Sequence, residues 1–379
     1  MNTPFQIYLL AFMSFLVGTS QFIIVGVLDQ IADSLGISVA SAGQLVSVYA
    51  LASAVGTPLV IILTAKIDQR TQLLLSLVIF IIGIFAMPLL ESYFLIVLSR
   101  MVVGIGAGVF VVTAYAISAK LARSGKQGAA MSNIAMGFSL SLVLGVPLGR
   151  IITVMANWQM IFWLIGILSL ISFFIITKVI PKTVVNPPIA LRVQLSFLKQ
   201  PQIIRVLGVT FFFFISFSLI NTYITPFLFS IRHLGEEEIS TILVVLGIAS
   251  FMGSKLGGFL ADRIGIARTL LGSMSVHLAM LLLLFFVYHS LFLTAVVLFI
   301  WVGASWTFGP TQSFNLASIA PKATGILLSL NSSFVQLGFA VGAGLGGVTL
   351  AHFPIIALCG VGAISVLIAF YLFQYQKDA

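Results

Sequence analysis

A helix needs about 20 consecutive apolar residues to cross the hydrocarbon core of a bilayer, and segments of this kind recur along this whole sequence. Of the 379 residues, 60% are hydrophobic and 7% are charged, whereas a soluble domain carries about 25% charged residues. A soluble core could not bury this much apolar surface. The sequence therefore predicts an all-α integral membrane protein.

Twelve transmembrane helices are expected, because twelve segments stay apolar over a window of about 19 residues. Numbered from span 1 to span 12, they are residues 5–28, 41–63, 72–90, 94–119, 129–151, 159–178, 203–231, 239–261, 269–288, 291–318, 323–350 and 354–374.

The basic residues between the spans predict the orientation. With both termini in the cytoplasm, most Lys and Arg residues fall inside and the acidic run at 236–238 falls outside, as the positive-inside rule requires. Arg150 and Arg232 are then the basic residues of the outer segments. We expect a multi-pass protein of a bacterial-type cytoplasmic membrane. Because this topology explains the net charge of +9, no nucleic-acid partner is expected.

A connection rich in proline and basic residues divides the sequence into two sets of six spans. We interpret residues 179–202 as a cytoplasmic linker between an N-terminal six-helix bundle, residues 1–178, and a C-terminal six-helix bundle, residues 203–379.

The two halves also share a repeat. The segment GVPLG at 145–149 corresponds to GAGLG at 342–346, and Gly56 corresponds to Gly253 at the same offset of 197 residues. One offset that relates separate regions predicts two pseudo-symmetric bundles of parallel topology. Small residues four positions apart let two helices approach closely, so spans 5 and 11 are expected to be contact surfaces within or between the halves.

Several motifs carry a family resemblance. Span 5 contains MGFSLSLVLGVPLG, residues 257–268 read GGFLADRIGIAR, and span 4 contains RMVVGIGAG from Arg100 onward. These motifs resemble those of the major facilitator superfamily, in its twelve-span drug:proton antiporter branch. The segments SAGQLVSVYALASAVGTPL and SWTFGPTQSFNLASIAPK are similar to those of bacterial purine base and nucleoside efflux permeases and, less closely, of arabinose-type sugar efflux transporters.

The resemblance implies the major facilitator fold and efflux by alternating access in exchange for protons. It also implies gating roles for the matching residues of span 5 and of the 257–268 loop. These are Gly137, Gly145, Pro147, Gly149, Gly258, Asp262, Arg263, Gly265 and Arg268. By resemblance, Asp262 latches one of the transport states. The first-half copy of the loop, LTAKIDQR, departs from the pattern, with Ala65 and Lys66 in place of the acidic and arginine positions.

In the family arrangement, spans 1, 4, 7 and 10 line a substrate site at the interface of the halves. The substrate-binding candidates on and beside these spans are Gln21, Phe22, Arg100, Asn221, Tyr223, Trp306 and Gln312. Amide groups read hydrogen-bond donors and acceptors, and flat rings offer stacking surface. This combination favours a small planar polar molecule, such as a purine base, a nucleoside or a drug-like compound.

The spans offer no evident site for proton coupling, because none of the nine acidic residues lies near the middle of a span. Proton-coupled transporters usually use a buried acid. Asp29, at the outer end of span 1, is the nearest candidate and is expected within reach of Arg100 from above. A charge at the end of a helix with no coupling role fits the sequence equally well.

Two alternatives share the fold: a sugar efflux carrier and an uncoupled uniporter or importer. A non-transporting membrane receptor or enzyme is a more distant alternative, because no nucleotide-binding loop or catalytic cluster is recognisable. No cofactor and no metal site are expected. The expected partners are a small-molecule substrate, the lipid bilayer and protons, and the chain is expected to be a monomer.

Overall fold

The computed structural model describes residues 3–64, 66–122, 127–181, 197–231, 234–319 and 324–374. Throughout these ranges the regular elements are helices. Twelve of them are long and apolar enough to cross a membrane. The prediction of an all-α protein with twelve membrane spans is confirmed. Ala65, Arg232 and the linker residues 182–196 lie outside the described residues.

The helices follow the predicted spans closely. They are Thr3–Gly26, Leu28–Leu35, Val39–Leu63, Gln69–Ala86, Tyr93–Leu121, Gln127–Leu140, Val146–Met155, Trp158–Val179, Pro201–Asn221, Ile224–Ile231, Glu236–Ile264, Ile266–Val287, Leu291–Ile319, Thr324–His352 and Ala357–Gln374. Span 3 ends in a 3₁₀ turn, Met87–Leu89, and a π-helical turn, Ser141–Gly145, joins the two parts of span 5.

Spans 1 and 7 end earlier than predicted, because each ends in a break followed by a short helix. Span 1 ends at Gly26, and Val27 adopts φ −127° and ψ 21° before the helix Leu28–Leu35 begins. Span 7 ends at Asn221, and the helix Ile224–Ile231 follows. Hydropathy averaged over about 19 residues does not resolve either break, because apolar residues predominate around both.

The chain divides into two compact units. One comprises Met1–Gly36 and Val48–Ile189, and the other comprises Ile37–Ser47 and Ala190–Ala379. The first residues of span 2 therefore pack within the second unit, where Ser47 Oγ donates a hydrogen bond of 2.7 Å to the carbonyl of Ala340.

Glycines on span 4 set the packing of the first unit. A Cβ atom at Gly104 would collide with the carbonyl oxygen of Tyr49, and one at Gly108 would collide with Thr57 Oγ1. Spans 2 and 4 can approach this closely because both positions lack a side chain. The same packing places Arg100, one turn before Gly104, beside the ring of Tyr49.

Candidate functional site

An ion pair in the first unit fastens the break that follows span 1. Arg150 donates from Nη1 to Asp29 Oδ1 at 2.9 Å and from Nη2 to Asp29 Oδ2 at 3.0 Å. Its Nη1 also donates to the carbonyl oxygen of Gly26, at the end of span 1. The Arg150 side chain is 0% exposed and that of Asp29 is 17% exposed. Span 5 is thus tied to the junction between span 1 and the helix Leu28–Leu35.

These contacts correct two expectations. Arg150 does not lie in an outer polar segment, because its side chain is fully buried among the helices of the first unit. Asp29 does not reach Arg100, because both of its carboxylate oxygens accept hydrogen bonds from Arg150. Hydropathy placed Arg150 at a span end but could not show that a partner 121 residues away would hold it inside. The coupling role of Asp29 stays a prediction.

The glycines of span 5 explain how Arg150 reaches this position. Positions 137, 145 and 149 face span 1 so closely that a Cβ atom would collide there, with Ala11, Thr19 and Ile23 respectively. Pro147 follows the π-helical turn that ends at Gly145. A π-helical turn and a proline both change the direction of a helix locally. The span 5 motif therefore packs within its own half, against span 1.

The second unit repeats this device between spans 7 and 11. A Cβ atom at Gly342 would meet the carbonyl oxygen of Ile215, and one at Gly346 would collide with the ring of Tyr223. The Tyr223 hydroxyl donates to the carbonyl of Ala343 at 2.8 Å, and the side chain is 0% exposed. Tyr223 is therefore held inside the second unit by the repeat of the glycine motif.

Arg100 is the centre of a second polar cluster in the first unit. Its Nη1 donates to the carbonyl oxygen of Ser20 at 3.0 Å, and its Cζ lies 4.5 Å from the centre of the Tyr49 ring. The side chain is 0% exposed. Nε and Nη2 have no hydrogen-bond partner among the described residues, and neither has the Oγ of Ser20. A charged group is rarely buried in a membrane-spanning bundle unless it has a function.

Gln21 and Phe22 lie beside this cluster. Tyr49 donates to Gln21 Oε1 at 3.4 Å, which is at the long end of the range for hydrogen bonds. Gln21 is half-buried, whereas Phe22 is buried with its ring edge-on to Phe138 at 5.4 Å. Of the predicted residues, Gln21 and Arg100 both contact Tyr49, which the sequence did not single out, whereas the Phe22 ring packs against Phe138.

The candidates of the second unit are divided between two environments. Asn221 and Trp306 are half-buried, and the Trp306 ring stands edge-on to Phe217 at 6.3 Å. Gln312 is buried, and its amide nitrogen donates to the carbonyl of Val206 at 2.8 Å and to Thr210 Oγ1 at 3.0 Å. Gln312 therefore ties span 10 to span 7.

A buried histidine network joins three spans of the second unit. Trp301 Nε1 donates to His277 Nε2 at 3.3 Å, and Ser216 Oγ lies 2.9 Å from the same nitrogen. Because the indole N–H is a donor only, Nε2 is the acceptor and the proton lies on Nδ1, 2.8 Å from Ser305 Oγ. His277 thus packs between spans 7, 9 and 10 as a neutral ring. The sequence feature that could have indicated this network is the presence of Ser216 on span 7 and Ser305 on span 10.

The loop signature lies at the junction of spans 8 and 9. Gly265 has φ +90°, a conformation that residues with a side chain rarely adopt, and it separates helices ending at Ile264 and starting at Ile266. Asp262, Arg263 and Arg268 are exposed around this turn. A Cβ atom at Gly258 would meet nothing within 4 Å. The motif is thus an open polar turn, and its gating role stays a prediction.

No group of three or more His, Cys, Asp or Glu side chains that could hold a metal ion occurs among the described residues.

Comparison with protein families gives a match over nearly the whole chain. The model of the Major Facilitator Superfamily matches residues 10–318 and 206–378. The MFS-type transporter YbcL of Bacillus subtilis (strain 168) is 42% identical over 369 residues, covering 97% of this chain and 95% of YbcL. The inner membrane transport protein YdhP of Escherichia coli (strain K12) is 28% identical over 386 residues, covering 100% and 98%. A probable sugar efflux transporter of Mannheimia succiniciproducens is 25% identical over 375 residues, covering 98% and 94%.

Solved structures share the fold at lower identity. A D-xylose–proton symporter superposes with a TM-score of 0.78 at 18% identity, covering 98% of this chain and 97% of the symporter. The nucleoside transporter NupG superposes with a TM-score of 0.77 at 14% identity, covering 99% and 100%. At these identities the likeness concerns the fold alone.

Proposed function

Because this chain belongs to the major facilitator superfamily, we propose that it exports a small, planar, polar organic molecule from the cytoplasm by alternating access. The family makes it a multi-pass membrane transporter and not an enzyme. Purine bases, nucleosides and drug-like compounds are the proposed substrate class. The proposal includes a cytoplasmic membrane location, cytoplasmic termini and a working monomer of two bundles, residues 1–178 and 203–379, joined by a cytoplasmic linker.

The Arg100 cluster is the observation that carries this proposal. A cation that is fully buried in a membrane-spanning unit and keeps two unused donor atoms is costly, so it favours a role in binding or transport. Gln21 and Tyr49 beside it provide an amide and a flat ring, which suit a planar polar ligand. Phe22, Asn221 and Trp306 are proposed as further contacts. The roles of Tyr223 and Gln312 are proposed as indirect, because both already bind backbone carbonyl groups.

The direction of transport is proposed from the relatives. One relative is named as a probable sugar efflux transporter, and the span 5 motif resembles that of the drug:proton antiporter branch. A sugar efflux carrier is therefore the second candidate. The aromatic rings around Gln21 and Arg100 favour a planar molecule over a sugar, because aromatic rings stack favourably on flat molecules.

Exchange for protons is proposed through Asp29. Protonation would remove the carboxylate charge that holds Arg150, and the clamp on the junction after span 1 would open. A proton would then act on the packing of spans 1 and 5 and not on the substrate directly. The span 5 glycines and the Asp262 turn are proposed to limit the movement that follows. An uncoupled uniporter with Asp29 as a fixed structural charge is the alternative.

Transport into and out of liposomes tests the proposal. Liposomes that contain the purified protein and are preloaded with unlabelled purine base should take up labelled purine base by exchange. A proton gradient directed inward, with the outside more acidic, should accelerate export. Liposomes without protein are the control. Exchange of labelled arabinose with no exchange of purine bases would favour the sugar carrier. Exchange that ignores the pH gradient would favour the uniporter.

A further inference from the structure

The Arg100 guanidinium presents one complete hydrogen-bonding edge that the protein does not use. Its Nη1 is occupied by the carbonyl oxygen of Ser20 at 3.0 Å. The two atoms with no partner in the described part of the chain, Nε and Nη2, point in the same direction on the other edge of the planar group. Two parallel N–H donors in this arrangement match the two oxygens of a carboxylate.

The charge of Arg100 is also unmatched. Asp29, in the short helix that follows span 1, accepts hydrogen bonds from Arg150 with both carboxylate oxygens. Tyr49, whose ring centre lies 4.5 Å from Cζ of Arg100, is neutral. A ring face attracts a cation but does not neutralise it. Within the described residues, Arg100 therefore lacks the counter-charge that Arg150 possesses.

We propose that the Nε and Nη2 edge of Arg100 binds the carboxylate group of the transported molecule, with the hydroxyl of Ser20 as a further donor. Among the planar polar molecules of the proposed substrate class, the preferred substrate is then a small organic acid, and neutral bases, nucleosides and sugars bind more weakly. This inference rests on the proposed function, because it names the charge of the molecule that the transporter carries. It also gives Arg100 the counter-charge that no described residue supplies.

The surroundings of Arg100 suit a flat acid that enters past Gln21. Gln21 is half-buried, whereas Tyr49 and Arg100 are buried, so Gln21 is the outermost member of the cluster. The contact that joins Tyr49 to Gln21 is long, at 3.4 Å, and a ligand can displace it at little cost. Once that contact opens, the carboxylate meets the guanidinium edge while an aromatic ring of the ligand packs near Tyr49.

Two pairs of compounds that differ mainly in charge test the inference. Nicotinate and nicotinamide form one pair, and benzoate and benzamide form the other. The full-length protein in lipid nanodiscs is heated with increasing concentrations of each compound, and with sodium chloride at the same ionic strength. We expect each acid to raise the unfolding temperature with an apparent affinity at least about tenfold above that of its amide, because the acid makes charge-assisted bonds.

Three variants assign this preference to Arg100. Arg100→Gln should reduce the difference between acid and amide to less than about twofold, because it removes the charged edge. Arg100→Lys should retain a preference for acids but weaken it, because a lysine ammonium cannot bind in the same bidentate way. Arg70→Gln is the control, an arginine of the same unit that donates to the carbonyl oxygen of Thr177 and has no proposed role, and the acid preference should survive in it.

The possible results distinguish a failure of the proposed anion site from a failure of the proposed transport function. If acids and amides stabilise the wild-type protein equally, if chloride matches the acids, or if no compound stabilises it, the carboxylate site is overturned. Exchange of nicotinamide across liposomes without a preference for nicotinate would overturn the anion site and leave the transporter assignment standing. An Arg100-dependent acid preference without any exchange across liposomes would support the anion site and contradict the proposed function.

Discussion

Two arginines of the first unit are buried to the same extent, but one contacts a carboxylate and the other a backbone carbonyl. Arg150 and Arg100 are each 0% exposed. Arg150 donates to both oxygens of Asp29 and to a backbone carbonyl. Arg100 donates once, to a backbone carbonyl, and leaves two nitrogen atoms without partners in the described residues.

The difference separates a structural charge from a binding charge. A buried ion pair that is fully hydrogen-bonded fixes the geometry of the helices that carry it, and breaking it leaves a charge stranded. A buried cation with unused donors gains most when a ligand supplies the missing charge. Burial alone therefore does not distinguish the two arginines, whereas the unused donor atoms of Arg100 favour it over Arg150 as the proposed substrate-binding residue.

Removing the partner of Arg150 is expected to have the largest effect on stability. Asp29→Asn removes the carboxylate charge beside the buried guanidinium of Arg150, which should lower the free energy of unfolding by about 3 to 5 kcal/mol. Thermal unfolding in nanodiscs measures the loss. Asp33→Asn, on the exposed side of the same short helix, is the control and should change little. Equal stability of the two variants would mean that Arg150 is not a structural charge.

Filling a glycine at the contact between spans 1 and 5 should have the next largest effect. Gly137→Ala places a methyl group against the carbonyl oxygen of Ala11, and such overpacking costs about 1 to 3 kcal/mol. Gly258→Ala is the control, because a Cβ atom there meets nothing within 4 Å. If both variants unfold at the same temperature, close packing of span 5 does not position Arg150.

The ring under Arg100 should contribute less. Tyr49→Phe keeps the ring face and loses the long bond to Gln21, so we expect ligand affinity close to that of the wild-type protein. Tyr49→Leu removes the ring, and a buried cation–π contact is worth about 2 kcal/mol. Titration of both variants with nicotinate measures the difference. An equal loss of affinity in Tyr49→Phe and Tyr49→Leu would assign the role to the hydroxyl, because both variants lack it.

The smallest effect on stability is expected at an exposed charge. Asp262 lies on the surface beside the Gly265 turn, so Asp262→Asn should leave the unfolding temperature nearly unchanged. If it latches one transport state, the variant should exchange substrate more slowly at unchanged affinity, because it biases an equilibrium without touching the ligand. Unchanged exchange rates would make this turn a polar connection without a gating role.

Much of the fold could be predicted, because each membrane span is a single continuous apolar segment of the sequence. The twelve helices follow from hydropathy, and the close packing of span 5, though not its partner span 1, follows from Gly145 and Gly149 lying four positions apart. The breaks at Val27 and after Asn221 could not be predicted from hydropathy averaged over about 19 residues, because apolar residues predominate around both.

The candidate site was less predictable, because its pairings join distant parts of the chain. Asp29 and Arg150 are 121 residues apart, and Ser20 and Arg100 are 80 residues apart. The sequence predicted Gln21 and Arg100 as site residues, but it did not indicate Tyr49, which contacts both. It could not show which of two arginines would receive the carboxylate of Asp29, because that depends on the side of span 5 that faces span 1.

The central claim is that Arg100 binds an anionic substrate. The most direct test is to measure whether net charge crosses the membrane with the substrate. Liposomes loaded with labelled nicotinate or nicotinamide are given a potassium diffusion potential, negative inside. We predict that the potential accelerates nicotinate exit through the wild-type protein, up to about tenfold per roughly 60 mV for one charge, and does not affect nicotinamide exit. Proton exchange would add to this acceleration, because a proton entering moves charge in the same sense. Nicotinate exit that ignores the potential, or that persists unchanged in Arg100→Gln, would contradict the claim.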